Sequence, residues 1–388
     1  MERLYDAVIL GAGVAGSAMA HALAGRGWRT LVVERGGTPR HKVCGEFLSP
    51  ESRSSLNALG LDEIVGRLPA CPIEAVRIVA ASGRQLRFGL TEPALGVSRP
   101  ELDGALLRSA RERGAELLDE TTALSVAPEG GRLRIEARGR RDAGERTLYA
   151  RAVIGAWGRR APAGLAGQAG ARPRQAGGER VGWKVHLEGV RTEPEVELYF
   201  FAGGYVGIAP VGEQTANVAA LVDAAFLREA GADPREWLRL AAARSPAFGR
   251  RIAGSRAVAG TGKAVAPVRI GRGPRAWEGR VALIGDAAMV VPPLCGDGMA
   301  MALRSAELCA PLADEYLRGR SSLEQWGRAY EEALRKPFAD PARWGRLLQT
   351  ALGRPALASL LVGLGGAAPE LARRAFRATR LPPPPSPR

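Results

Sequence analysis

Residues 6–34, DAVILGAGVAGSAMAHALAGRGWRTLVVE, constrain this chain more than any other stretch. A short apolar run at 6–10 has strand length, and Gly11, Gly13 and Gly16 complete GxGxxG at the mouth of a helix predicted over 14–26. A second apolar run, 30–33, ends in Glu34, eighteen residues after Gly16. Each part has a physical reason. Gly11 permits the tight strand-to-helix turn, Gly13 lets the backbone approach a pyrophosphate, and Gly16 lets the helix close on the sheet. The helix N-terminus faces phosphate charge, and Glu34 is placed to accept hydrogen bonds from a ribose diol. With 50 glycines in the chain, GxGxxG alone would say little. The strand before it, the helix after it and the acid ending the next strand make it a dinucleotide-binding unit.

A chain of 388 residues, 46% hydrophobic, can bury a large core in two closely joined domains. The net charge of +15 raises the question of nucleic acid. Lys42, Lys184, Lys263 and Lys336 are the only lysines, however, and the remaining positive charge is scattered arginine without a DNA or RNA motif. Nucleic acid is therefore not an expected partner, whereas a weak peripheral attraction to anionic lipid stays open. Cys44, Cys71, Cys295 and Cys309 show no zinc spacing and read as free thiols, with no metal expected. The first strand begins almost at Met1, leaving no room for a signal peptide, so a cytoplasmic location is expected, with contact to the inner membrane face open. The apolar stretch 347–368, broken by Gln349, Arg354 and Pro355, reads as two short helices. Nothing in the sequence sets the oligomeric state.

The fold class is α/β. A helix is predicted at 50–59, strands at 75–80 and 85–88, and a helix from Arg99 closed by Gly114. Alternating segments at 133–137 and 147–150 predict a hairpin leading into a strand at 152–155. Residues 161–178 read as a linker. From 181 to 222 the period is close to two, which predicts several antiparallel strands of a separate sheet. Helices follow at 233–244, from about 296, at 323–348 and at 355–377, with a buried strand at 281–284. The tail 381–388, LPPPPSPR, is expected to be disordered. Nucleotide-binding segments 1–72, 97–178 and 266–315 thus enclose substrate-domain segments 73–96 and 179–265, and 316–380 forms C-terminal helices.

The second motif is RVALIGDAAMVVPPLCGDGMAMAL, residues 280–303. With both motifs, the chain resembles the flavoprotein monooxygenase superfamily with the p-hydroxybenzoate-hydroxylase fold over roughly residues 4–315. That superfamily includes geranylgeranyl reductases and flavin-dependent halogenases. The resemblance implies a Rossmann-like FAD-binding domain of the GR2 type with an inserted antiparallel β-sheet substrate domain. It implies cofactor contacts from Gly11, Gly13, Ala15, Gly16, Glu34 and Arg35, from Arg99, and from Gly285 and Asp286 to ribose or ribityl hydroxyls. Pro292, Pro293, Gly296, Gly298 and Met299 would aim a helix N-terminus at the flavin pyrimidine, where positive potential stabilises anionic reduced flavin. IGAWGRRAP, 154–162, stands where relatives carry GADGxxSxVR, with Trp157 replacing the aspartate. NADPH or NADH is implied only as a transient donor.

The loop KVCGEFLSPES, 42–52, resembles the flavin loops of geranylgeranyl reductases and halogenases. Cys44 and Gly45 would then border the isoalloxazine, with Cys44 a candidate proton donor, the alternative being a buried cysteine acting as a small hydrophobe. Cys295 falls in a matching Cys-Gly-acid triplet, where a helix N-terminus would favour its thiolate and a redox pair with Cys44 is conceivable. Residues 203–221 resemble the relatives' pocket strands. Trp183, His186, Phe200, Tyr205 and Pro210 are therefore substrate-pocket candidates, against ordinary packing on a sheet, or exposure for His186.

Three chemistries fit the resemblance. The favoured one is hydroxylation of a hydrophobic aromatic substrate, phenolic or polyketide-derived, through a flavin C4a-hydroperoxide. Flavoproteins that accompany type III polyketide synthases look most similar. Reduction of isoprenoid double bonds is the main alternative. Halogenation lacks the WxWxIP motif, the nearest text being YVGIAP, and a non-enzymatic electron-transfer flavoprotein is the fourth reading. The C-terminal helices would cover the pocket as a lid or touch a membrane as a weak anchor.

Overall fold

In the computed structural model, which describes residues 3–140, 144–165, 179–271 and 273–382, strand Thr30–Val33 is buried at every position. Strands covered on both faces read as unbroken apolar runs, the mark of a parallel sheet. Leu4–Leu10 accordingly pairs in parallel with Thr30–Val33 and with Glu145–Gly155. Glu116–Leu118 and Val281–Leu283 extend the parallel array at its two ends. The hairpin Thr121–Glu129 with Arg132–Gly139 attaches antiparallel to Glu145–Gly155. Helix Val14–Ala24 is buried along its whole length against this sheet. Its small residues make that possible: a Cβ on Gly16 would lie 1.9 Å from the Gly11 carbonyl oxygen, and Gly11 sits at φ +120 against the Ala156 carbonyl.

The second sheet has nine strands. Its main path runs Arg256–Ala257, Arg180–Glu188, Thr215–Asp223, Gly204–Gly212, Glu195–Phe201, Cys71–Val79, Gln85–Gly96 and Phe47–Leu48, with Lys263–Val265 also pairing to Arg180–Glu188. One pairing departs from the expected antiparallel pattern, since Cys71–Val79 and Glu195–Phe201 run parallel. A long excursion through the first sheet separates them, so no hairpin dictates their direction. Along Arg180–Glu188 the two-residue period sorts side chains between faces. Val181, Trp183, Val185 and Leu187 enter an apolar cluster with Phe226, Trp237 and Phe248 from the helices that follow. Gly182, Lys184 and His186 take the opposite face, toward the first sheet.

Several boundaries differ from the sequence reading. The two segments expected at 147–150 and 152–155 are one strand, because Arg151 turns outward to Asp6 without interrupting the ladder. The helix expected at 355–377 divides into Pro355–Ala367 and Pro369–Arg377, at a proline that cannot continue the hydrogen-bond ladder. Helix segments Pro337–Leu352 and Pro355–Ala367 meet at 110°, and no single helix among the described residues is long and apolar enough to cross a membrane. Most of the expected linker, 166–178, and residues 383–388 of the expected tail lie outside the described residues. Leu381, assigned to that tail, is buried against the core.

Candidate active site

A cavity opens where the two sheets face each other. The first sheet's side supplies Gly13 and Ala15 at a helix start, the loop 44–47, Arg99, Gly285 with Asp286, and Pro293, Gly296, Gly298 and Met299. The far wall is apolar, formed by Val76, Val196, Leu198, Ala220 and Leu221 with Tyr205. Phe376 and Arg380 line it from the C-terminal segment.

Two cations flank the glycine turn. A Cβ on Gly13 would meet nothing nearer than Lys42 Nζ at 3.7 Å and Arg99 Nη2 at 3.8 Å. Both cations are anchored by buried Asp103. Arg99 grips it with Nε and Nη2, each at 2.9 Å, and Lys42 Nζ lies 2.7 Å away. Burial opposes the Asp103 charge, but Arg99 and Lys42 outweigh it and hold the carboxyl below its ordinary range. The group is thus a preformed net positive site. Outside the cavity lining, at the end of strand Thr30–Val33, buried Glu34 accepts from the Ala12 amide at 2.8 Å and the Gly36 amide at 2.9 Å. Arg40 Nη2 also donates to Oε1 at 3.2 Å, which leaves Oε2 with lone-pair capacity for a further donor.

Glu46 anchors a second cluster that sequence reading missed. It sits at φ +54 with its side chain fully buried. Oε1 accepts from Lys184 Nζ at 2.9 Å and the Arg99 amide at 3.0 Å, while Oε2 lies 2.5 Å from His186 Nε2. Lys184 Nζ also lies 2.9 Å from His186 Nε2 and 3.2 Å from His41 Nδ1. Burial opposes the Glu46 charge, but His186 and Lys184 outweigh it and hold the carboxyl down, whereas burial lowers the Lys184 ammonium despite Glu46. His186 Nε2 carries either a proton or a lone pair. It therefore cannot donate to Glu46 and accept from Lys184 at once. Asn217 steadies the same loop by donating to the Cys44 carbonyl at 2.9 Å.

At the other motif, Asp286 pairs with Arg159 at 3.0 Å, so the altered 154–162 segment does contribute to the site. Asp297 is wholly buried and bonds Arg380, and burial pushes its pKa up to about 6. Burial also pushes the Cys295 thiol up to about 12, which overturns the expectation of a thiolate there. Its sulfur faces Gly345 and Thr379, and both Cys44 and Cys295 are free thiols.

Residues 4–339 match the family described as the FAD binding domain. The chain belongs to that family. The flavoprotein is 28% identical over 367 residues to digeranylgeranylglycerophospholipid reductase 2 of Methanopyrus kandleri, covering 86% of this chain and 84% of the relative. It is 32% identical over 98 residues to squalene monooxygenase of Eremothecium gossypii, covering 25% of this chain and 19% of that one. Its fold matches the myxobacterial chondrochloren halogenase CndH with a TM-score of 0.70 at 24% identity, over 85% of this chain and 78% of the halogenase. This flavoprotein is an FAD-dependent oxidoreductase.

The residues present fit FAD. The open cradle over Gly13, flanked by Lys42 and Arg99, suits a pyrophosphate, and the start of helix Gly298–Leu317 borders the same cavity. Gly11 and Gly16 shape the turn from behind, out of the cavity. Cys44 and Gly45 line it, with the Cys44 thiol beside the Arg99 guanidinium. Glu34 and Arg35 lie outside this cavity's lining, Glu34 buried and Arg35 exposed where the chain turns outward.

Of the pocket candidates, Tyr205 lines the cavity and the others do not. Trp183 is fully buried on the opposite face of the sheet, as its odd spacing from His186 requires. His186 is neither exposed nor on the cavity wall, since it is drawn into the Glu46 cluster. Phe200 lies directly across from Tyr205 on the neighbouring strand, the two rings tilted against each other with centroids 5.4 Å apart. Pro210 is buried with its carbonyl against Gly96. Lys42, Asp103, Lys184 and Asn217 gave one faint signal in the sequence: two of them are lysines in a chain that otherwise uses arginine.

Proposed function

We propose that this flavoprotein is a monooxygenase that hydroxylates a hydrophobic aromatic substrate, phenolic or polyketide-derived, using electrons from NADPH or NADH. The observation that carries the reading is the apolar wall of Val76, Val196, Leu198, Ala220 and Leu221 facing the FAD-binding side across one cavity. Such a wall holds a flat apolar ring and excludes water, which oxygen transfer requires. Bound FAD would supply the redox chemistry, activating dioxygen after reduction or passing a hydride to a double bond.

The chain's own groups provide orientation and proton handling. Burial, reinforced by Cys295, raises the Tyr205 pKa well above its ordinary value, so its hydroxyl stays protonated as a donor toward the substrate. The hydrogen-bonded cluster of Glu46, His186 and Lys184 adjoins the loop carrying Cys44, and half-buried His41 lies against its Lys184. The cluster can take up a phenolic proton or return one.

Reduction of an isoprenoid double bond is the second reading, favoured by the near full-length similarity to the archaeal reductase. One experiment separates them. Anaerobic reduction with NADPH or NADH, followed by air and a resorcinol-type lipid, should give a product heavier by one oxygen atom. Saturation of a prenyl substrate without oxygen would establish the reductase instead.

A further inference from the structure

Seven of the eight exposed large apolar side chains among the described residues fall between Trp344 and Leu371, Leu4 being the eighth. Helix Pro355–Ala367 shows why this is more than a lid. Its inward stripe, Ala358, Val362 and Gly365, is buried, with Val362 packed beside Leu86 and Phe88 of strand Gln85–Gly96. Its outward stripe, Leu357, Leu360, Leu361 and Leu364, has the same helical spacing and faces solvent, with Leu360 51% and Leu364 57% exposed. A helix that only covers a pocket needs one apolar face, and this one has two.

We propose that the outward face of helices Leu323–Leu352, Pro355–Ala367 and Pro369–Arg377 docks on an anionic lipid bilayer. Charge selects that occupant. Residues 337–382 carry seven arginines and two acids, a net charge of +5, and Arg343, Arg354, Arg374 and Arg377 are exposed around the leucines. An isologous contact with a second copy would set these arginines against their own counterparts. Anionic headgroups complement them, while the leucines and Trp344 enter the acyl boundary. The helix pair Pro337–Leu352 and Pro355–Ala367, bent by 110°, presents both of its apolar segments to such a surface.

The docking face is continuous with the catalytic cavity. A groove lined by Trp344, Arg373 and Arg377 shares Phe376 and Arg380 with the cavity wall, and Leu352 packs against the cluster that contains Tyr205. A lipophilic substrate therefore passes from bilayer to cavity beside Phe376. This entry route rests on the apolar-substrate reading above, whereas the docking does not.

Flotation of the FAD-loaded protein with phosphatidylglycerol/phosphatidylcholine vesicles at physiological salt tests the docking without substrate. The wild type should float with these vesicles and far less with phosphatidylcholine alone. The Leu360→Glu/Leu364→Glu variant should lose roughly tenfold or more in vesicle affinity, since burying one leucine is alone worth about that factor. Its FAD content and melting temperature should be unchanged, because both side chains face solvent. A wild type that stays in solution with anionic vesicles, or a variant that floats equally well, overturns the proposal. So does a dimer in solution that the same variant dissociates while no vesicle is bound. Hydroxylation is read separately, so failure of either reading leaves the other testable.

Discussion

Arg380 forms a buried ion pair with Asp297, joining the segment after the last helix to the residue that precedes helix Gly298–Leu317 at the flavin site. The guanidinium also lies 3.9 Å from the Phe376 ring centroid and 5.5 Å from that of Phe47. Asp297 makes no capping bond with its side chain, so its carboxylate serves the C-terminal segment instead. The pocket wall and the cofactor loop are thereby one mechanical unit.

Burial of Asp297, only partly offset by Arg380, gives stability a defined pH dependence. The folded-state pKa of Asp297 is raised, from 3.8 to about 6. Its contribution is therefore fully present below pH 3.8 and is lost as pH rises through about 6. The loss is of the order of 3 kcal/mol. In urea titrations across this window, Asp297→Asn should lack the component seen in the wild type; an identical pH dependence would refute the assignment.

Gly13→Val should abolish FAD retention by filling the cradle between Lys42 and Arg99. Asp103→Asn should weaken it more mildly, because the two cations lose the carboxylate that aims them. Absorbance of the purified proteins near the flavin maximum checks both, and full FAD content in Gly13→Val would remove the cradle from the argument.

Tyr205→Ala should raise the substrate KM while FAD content stays at the wild-type level, since the glycine turn lies on the other side of the cavity. Trp183→Ala should instead lower stability by about 3–5 kcal/mol, the usual cost of truncating a buried aromatic. Denaturant midpoints and steady-state kinetics on the two variants together distinguish pocket from core.

Lys184→Met should cost about 3–5 kcal/mol, because it leaves the Glu46 carboxylate buried without its cation. Adding Glu46→Gln should recover much of that loss, since the remaining groups are then neutral. A double-mutant cycle in urea measures the coupling, and simple additivity would mean that the pair is not an energetic unit.

The glycine turn, Glu34, the Gly285–Asp286 motif and the two-residue period of 181–222 were legible in the sequence because each is a local pattern with a local cause. A turn needs glycine within a few residues, and a strand face needs alternate apolar side chains. Trp183 and His186 were both expected in the pocket, but their odd spacing along one strand puts them on opposite faces, and neither lines the cavity. What only the tertiary structure decided is which distant charges meet. Lys42 and Arg99 share Asp103, Lys184 and His186 share Glu46, and Arg380 finds Asp297 across 83 positions. No spacing rule encodes such encounters, because burying a charge is tolerable only where folding brings its partner within hydrogen-bond reach.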